Sequence, residues 1–163
     1  MQFNHFDNGG NAVMVNVSDK DATKRTAVAK GFISMKAATL ELLESGQVGK
    51  GDVLGVARVA GIMAAKRTSE LIPMCHTLYL ESCSIDFKVH REHSEVEAVC
   101  TVVTSGKTGV EMEAVVGVNV ALMTIYDMCK SADRAMTMHG IYLAEKHGGK
   151  SGSYVAEGRR YEG

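Results

Sequence analysis

Hydrophobic positions recur along this chain with two periods, near 2 and near 3.6, and the changes between them mark out the elements. Residues 1–24 are polar and rich in Gly and Asp, broken by AVMVNV at 12–17, and are expected to be partly irregular. RTAVAKGFISM (25–35) has strand character. AATLELLESG (37–46) has helical spacing and ends at Gly46, a residue suited to the left-handed C-terminal turn of a helix. After the loop QVGKGD, Asp52 can cap a second helix over VLGVARVAGIMAAKRTSELI (53–72), which Pro73 limits. CSIDFKVH (83–90) alternates, with Ile85, Phe87 and Val89 on one face. EVEAVCTVVT (95–104) alternates at first, and the polar link REHS makes the two a hairpin. KTGVEMEAVV opens a long helix in which Thr108 and Glu111 have capping-box spacing. AMTMHGIYLAEK (135–146) is a last strand before HGGKSG.

Strand, helix, helix, strand, strand, helix, strand is the split β-α-β order of a ferredoxin-like α+β sandwich: an antiparallel sheet with helices on one face, here with one extra helix. One domain over residues 1–163 is expected, with 147–163 a flexible, glycine-rich basic tail. Such a layer leaves one sheet face open, and GVNVALMTIYDMCK (117–130) is apolar on all sides of its helix. Both features point to a homo-oligomer, or to the N-terminal segment folding back over the open face.

Composition narrows the class. The apolar fraction of 45% and the charged fraction of 23% are those of a globular domain. A net charge of −1 gives no overall field for nucleic acid or an anionic membrane, so anion recognition must come from local basic groups. The longest apolar run, 114–126, is interrupted by Gly117, Asn119 and Thr124 and is too short to span a bilayer. MQFNHFDNGG lacks the basic and apolar regions of a signal peptide. Cys75, Cys83, Cys100 and Cys129 form no CxxC pair and fit neither a disulfide framework nor a zinc site, so a cytoplasmic protein with reduced thiols is expected.

Asp127 and Lys130 lie three residues apart on one helix face. A cation suits a helix C-terminus, but a carboxylate in the last turn is disfavoured by the dipole, so Asp127 breaks a local rule. From the residues alone, a structural ion pair and a catalytic pair stand level. Glu113 falls on the same helix face but roughly 20 Å away, so both can serve one small site only if another copy joins the two ends. Lys50, in a glycine-flanked loop before a helix, fits an anion cradle as well as a plain surface position. Lys66 and Arg67 suit a helix C-terminus, and Lys146 and Lys150 suit either phosphate closure or a solvated tail. GKT (106–108) and GKS (149–151) lack the glycine that a Walker A loop requires, since Thr101 and Ala144 stand in its place. Cys75 and His76, adjacent on an extended segment, point opposite ways, which leaves His76 to hydrogen-bond a phosphate or a base.

Taken together, MVNVSDK, GIMAAKRTSELIPMCH, GKTGVEMEA, TIYDMCK and KHGGKSG closely resemble the MoaC family, the cyclic pyranopterin monophosphate synthases of molybdenum cofactor biosynthesis. The resemblance covers nearly the whole chain. It implies a ferredoxin-like fold assembled as a hexamer of three dimers, with active sites between subunits. It also implies conversion of (8S)-3′,8-cyclo-7,8-dihydroguanosine 5′-triphosphate, the product of an upstream radical enzyme, to cyclic pyranopterin monophosphate with release of pyrophosphate. Asp127 becomes the general acid/base, and Lys130 and Lys50 the essential lysines. Met74, Cys75, His76, Met112 and Glu113 become substrate contacts, and Arg25, Lys66 and Lys146 phosphate holders. The resemblance requires no cofactor or metal site, and magnesium is compatible with a triphosphate. Thr77 stands where the family has Pro, and Asn16 where it has Asp. Composition and spacing leave open a nucleotide-binding regulatory module, which would bind without turnover, and a phosphohydrolase, which would release phosphate without forming a pterin.

Overall fold

The structure is a computed structural model and describes residues 5–46 and 52–157. Lys50 lies outside the described residues. Strand β1 (Thr23–Ser34) leads to helix α1 (Ala37–Glu44), α2 (Val53–Ala65) and a single turn α3 (Thr68–Leu71). There follow β2 (Ser82–His90), a 3-10 turn at Arg91–His93, β3 (Glu95–Gly106), α4 (Glu111–Cys129), β4 (Thr137–His147) and β5 (Tyr154–Val155). The sheet order is β2-β3-β1-β4-β5, antiparallel throughout. With α2 and α4 on one face, this is the expected α+β architecture, consistent with a ferredoxin-like sandwich.

Alternation explains the layer. Ala27, Ala29 and Ile33 of β1 and Val96, Ala98, Cys100 and Val102 of β3 are fully buried toward the helices. Gly31 lets α4 approach, since a Cβ there would come within 2.8 Å of Val118. Helix α4 is the one described helix long and apolar enough to cross a membrane by length and composition, yet it is the core helix of this fold. The sheet covers one side of it and α2 the other. Its all-round apolar character therefore has an explanation within the chain and does not by itself demand a partner.

The two helices cross at a glycine contact. A Cβ on Gly61 would lie 2.7 Å from the carbonyl of Gly117 and 3.2 Å from Ala121, and one on Gly117 would lie 3.6 Å from Ala65. These pairs run in opposite senses, so α2 and α4 are antiparallel. The C-terminus of α2 lies toward the start of α4, and the N-terminus of α2 toward its end.

Four local expectations are corrected. The second helix stops at Ala65, because Arg67 leaves helical geometry and the Thr68 hydroxyl takes the Ala65 carbonyl at 2.9 Å. The Thr108–Glu111 capping box does not form: Val110 is the N-cap, no side chain bonds it, and Glu111 instead pairs with Lys146 at 3.4 Å. The open sheet face is already satisfied by polar pairs. Lys30 and His90 meet Glu97 at 3.6 and 3.1 Å, Ser34 meets His139 at 2.7 Å, and Phe32 stacks on His139. The N-terminal segment runs beside the start of α4, where His76 stands 2.8 Å from the Val15 carbonyl, rather than folding across the open face. One exposed apolar patch lies on the outer side of α2, at Val56, Val59 and Met63. Asp52 caps α2 as expected, accepting from the Gly55 N–H at 2.8 Å.

Candidate functional site

Between β3 and α4 the chain makes a short turn, Lys107–Val110, and the helix then starts with no side chain capping it. The first turn carries the carboxylates of Glu111 and Glu113, so any attraction for anions here rests on the cations around it. A cavity of about 550 Å³ opens there. Lys20, Arg25, Lys107, Lys146 and Lys150 line it, with Thr108, Gly109, Glu111 and Ser151. Lys20 and Arg25 come from the start of β1 and the chain before it, Lys107 from the turn after β3, and Lys146 and Lys150 from the end of β4 and the glycine turn beyond, so three separate parts of the sequence deliver cations to one place. Lys146 is held by Ser151 at 2.7 Å as well as by Glu111. Arg25 donates from Nε to the Gly106 carbonyl at 3.4 Å.

A second cavity, of about 250 Å³, adjoins the first and shares Lys20, Thr108, Gly109 and Glu111 with it. Met74, Cys75 and His76 enter from the segment after α3, and Met112 and Glu113 from the first turn of α4. Glu113 is buried, and burial pushes its carboxyl above the ordinary range, helped by the charge of Glu111. Burial, and then the charge of Glu113, push the Cys75 thiol up as well, so this thiol is not primed as a nucleophile. Sulfur, imidazole and a protonatable carboxyl around a small apolar hollow suit a flat heteroaromatic ring. The pair of cavities, one strongly basic and one amphipathic, suits a nucleotide with a phosphate chain.

The structure thus brings together Arg25, Met74, Cys75, His76, Met112, Glu113 and Lys146 of the expected residues. Lys66 is exposed at the C-terminus of α2, toward this end of the molecule but outside the lining of either cavity. Asp127 and Lys130 lie at the other end of α4, paired at 2.5 Å and more than half exposed. The helix has 19 residues, so its two ends are separated by roughly 27 Å. Asp52 at the N-terminus of α2 stands toward that same far end, and Lys50 precedes it by two residues outside the described region.

Sequence reasoning missed Lys20, Lys107 and Thr108. GKTG between a strand and a helix carries Lys107 and Thr108, but in sequence it reads as a rejected Walker A loop, a capping box and part of a family motif, with no site role for either residue. Lys20 closes the MVNVSDK stretch, but its spacing gives it no site role, and tertiary contacts place it at the cavities. Among the described residues, no group of three or more His, Cys, Asp or Glu side chains is arranged to hold a metal ion.

Residues 14–149 match the model of the MoaC family. A protein of Clostridium botulinum (strain Alaska E43 / Type E3) is 55% identical over 156 residues, covering 96% of this chain and 98% of its own. One from Clostridium perfringens (strain 13 / Type A) is 56% identical over 92% of this chain and 95% of its own. One from Thermoanaerobacter sp. (strain X514) is 54% identical over 96% and 99%. All three are named cyclic pyranopterin monophosphate synthase.

Proposed function

The chain belongs to the MoaC family, and from that premise we propose that it catalyses the cyclic pyranopterin monophosphate synthase reaction of molybdenum cofactor biosynthesis. Its substrate is a cyclised dihydroguanosine triphosphate supplied by an upstream radical enzyme, and pyrophosphate is released. The observation that carries this reading is the joined pair of cavities at the start of α4. The basic one accommodates a triphosphate, and the amphipathic one the purine-derived ring.

The reaction opens one ring, closes a pterin ring and forms a cyclic phosphate, and each step moves protons. Asp127 with Lys130 supplies a carboxylate and an ammonium in direct contact, a pair able to pass a proton between them, and Lys50 is the second essential lysine. Arg25, Lys146 and Lys150 neutralise the departing pyrophosphate, with Lys66 nearby. Met74, Cys75, His76, Met112 and Glu113 hold the ring. Magnesium enters only as a counter-ion of the triphosphate, with Asp21 and Glu111 the carboxylates in the lining of the basic cavity.

The separation of the two halves along α4 supports a complete site formed between two copies of the chain. The substrate cavities come from one copy, and the Asp127–Lys130 end from the other. The exposed Val56, Val59 and Met63 give α2 an apolar outer surface suited to a subunit contact. We take the assembly to be a hexamer built as three dimers, working in the cytoplasm. The test supplies freshly made cyclised triphosphate and follows pyrophosphate release and the fluorescent oxidised pterin together. The parent chain should give both products and Asp127→Asn neither. Binding without either product would instead support a regulatory nucleotide-binding module.

A further inference from the structure

The residues that bracket the two cavities also fasten a strap. Lys107 Nζ donates to the Ser18 carbonyl at 2.7 Å. His76 Nε2 stands 2.8 Å from the Val15 carbonyl. Among the described residues these two bonds tie residues 15–20 to the body of the fold. The segment's other hydrogen bonds are its own, Ser18 N–H to Asn16 Oδ1 at 2.9 Å and Lys20 N–H to the Val17 carbonyl at 3.1 Å. Val15 and Val17 are half-buried, while Asn16, Ser18, Asp19 and Lys20 are exposed, so the strap has little apolar hold of its own. Both acceptors are main-chain carbonyls. The anchorage is therefore set by the donors His76 and Lys107 and not by side chains on the strap. Lys20 sits at the end of this strap and lines both cavities. On its other side Lys20 is three residues from Thr23, which pairs with Gly106 in the sheet, so the strap fixes the one flank of Lys20 that β1 does not.

We propose that Lys107 is a positioning residue that, by holding the Ser18 carbonyl, fixes the 15–20 strap so that Lys20 binds the phosphate chain where the two cavities meet. This rests on reading the basic cavity as a polyphosphate site but not on turnover. It gives GKT a role that needs no P-loop: the lysine grips the protein's own backbone and acts on the anion through a second lysine. The alternative is that Lys107 contacts phosphate directly, and the two differ in a double-mutant cycle.

The experiment titrates inorganic tripolyphosphate into the full-length protein by calorimetry, with amide exchange followed over residues 15–20. Lys20→Met should weaken binding by about tenfold, the loss of one charge-assisted contact. Lys107→Met should weaken it by about threefold to tenfold and speed exchange in the strap. In the Lys20→Met background, Lys107→Met should cause no further loss, and in the parent background Lys107→Arg should retain both affinity and protection. Full additivity of the two substitutions, or weaker binding with unchanged strap exchange, would overturn the proposal. Unaltered binding by Lys107→Met would also overturn it, while leaving the cavity's reading as a phosphate site intact. A parent chain that does not bind tripolyphosphate would remove both.

Discussion

Gly149 and Gly152 lie in the turn after β4 and separate two effects that a single substitution would confuse. Both have positive φ, +76° and +66°, where an alanine is strained. An added Cβ at Gly152 meets nothing within 4 Å. At Gly149 it would fall on the Arg25 guanidinium, so the arginine must leave its place in the basic cavity. Alanine at either position should cost about 1–2 kcal/mol of backbone strain. For a domain of this size that lowers the melting temperature by roughly 2–4 °C per kcal/mol. Only Gly149→Ala also displaces a cation, and loss of a hydrogen bond to a charged group is worth about 1.5–3 kcal/mol, or roughly tenfold or more in Kd. Differential scanning fluorimetry should therefore show similar falls for the two variants. Calorimetry with tripolyphosphate should show weakened binding for Gly149→Ala and near-parental binding for Gly152→Ala. Equal affinities in the two variants would refute the claim that Arg25 is aimed at the anion.

Glu113 has a raised folded-state pKa, so its favoured form in the fold is the neutral acid; its contribution to stability is complete below the unfolded value near 4.5 and is lost as pH rises through the folded value. Glu113→Gln should therefore melt with the parent at pH 4 and above it at pH 8, and a gap that opens toward acid instead would contradict the burial argument. Gly61→Ala gains about 1 kcal/mol of helix propensity, but its Cβ would lie 2.7 Å from the Gly117 carbonyl, which cannot yield unless α2 and α4 part. A net loss of about 1–2 kcal/mol is expected by thermal or urea unfolding, and a variant more stable than the parent would show that the helices do not cross this closely.

The strand and helix order was legible because it depends on period alone: Ile85 and Phe87 alternate, and 117–129 does not. The C-terminus of α2 was not legible. Lys66 and Arg67 are good helix formers, and what ends the helix is the turn of Arg67 out of helical geometry and the Thr68 hydroxyl competing for the Ala65 carbonyl. The start of α4 was misread for a similar reason. Thr108 and Glu111 have the spacing of a capping box, but Lys146, 35 positions later in sequence, takes the carboxylate. Strand β5 gave no alternation, since two residues are too few to show a period. At the site, Arg25, His76, Glu113 and Lys146 came from motif resemblance, and the structure places them around adjoining cavities. Lys20 and Lys107 lie within MVNVSDK and GKTGVEMEA, but their place at the cavities depends on a contact between distant segments, which no local spacing records. The separation of Glu113 from Asp127 followed from helix rise alone, and it remains the strongest geometric argument for a shared site.

The most direct test of that shared site is subunit complementation. Arg25→Met disables the phosphate cavity and Asp127→Asn disables the other end of α4, so each homogeneous oligomer should be inactive in the coupled pyrophosphate and pterin assay. If one site takes its two halves from two chains, random co-assembly of the variants in equal amounts leaves about a quarter of the sites with both halves intact. Recovery of about a quarter of parental activity is the predicted result. Activity no greater than that of the separate variants would mean that each chain carries a complete site, and would contradict the account.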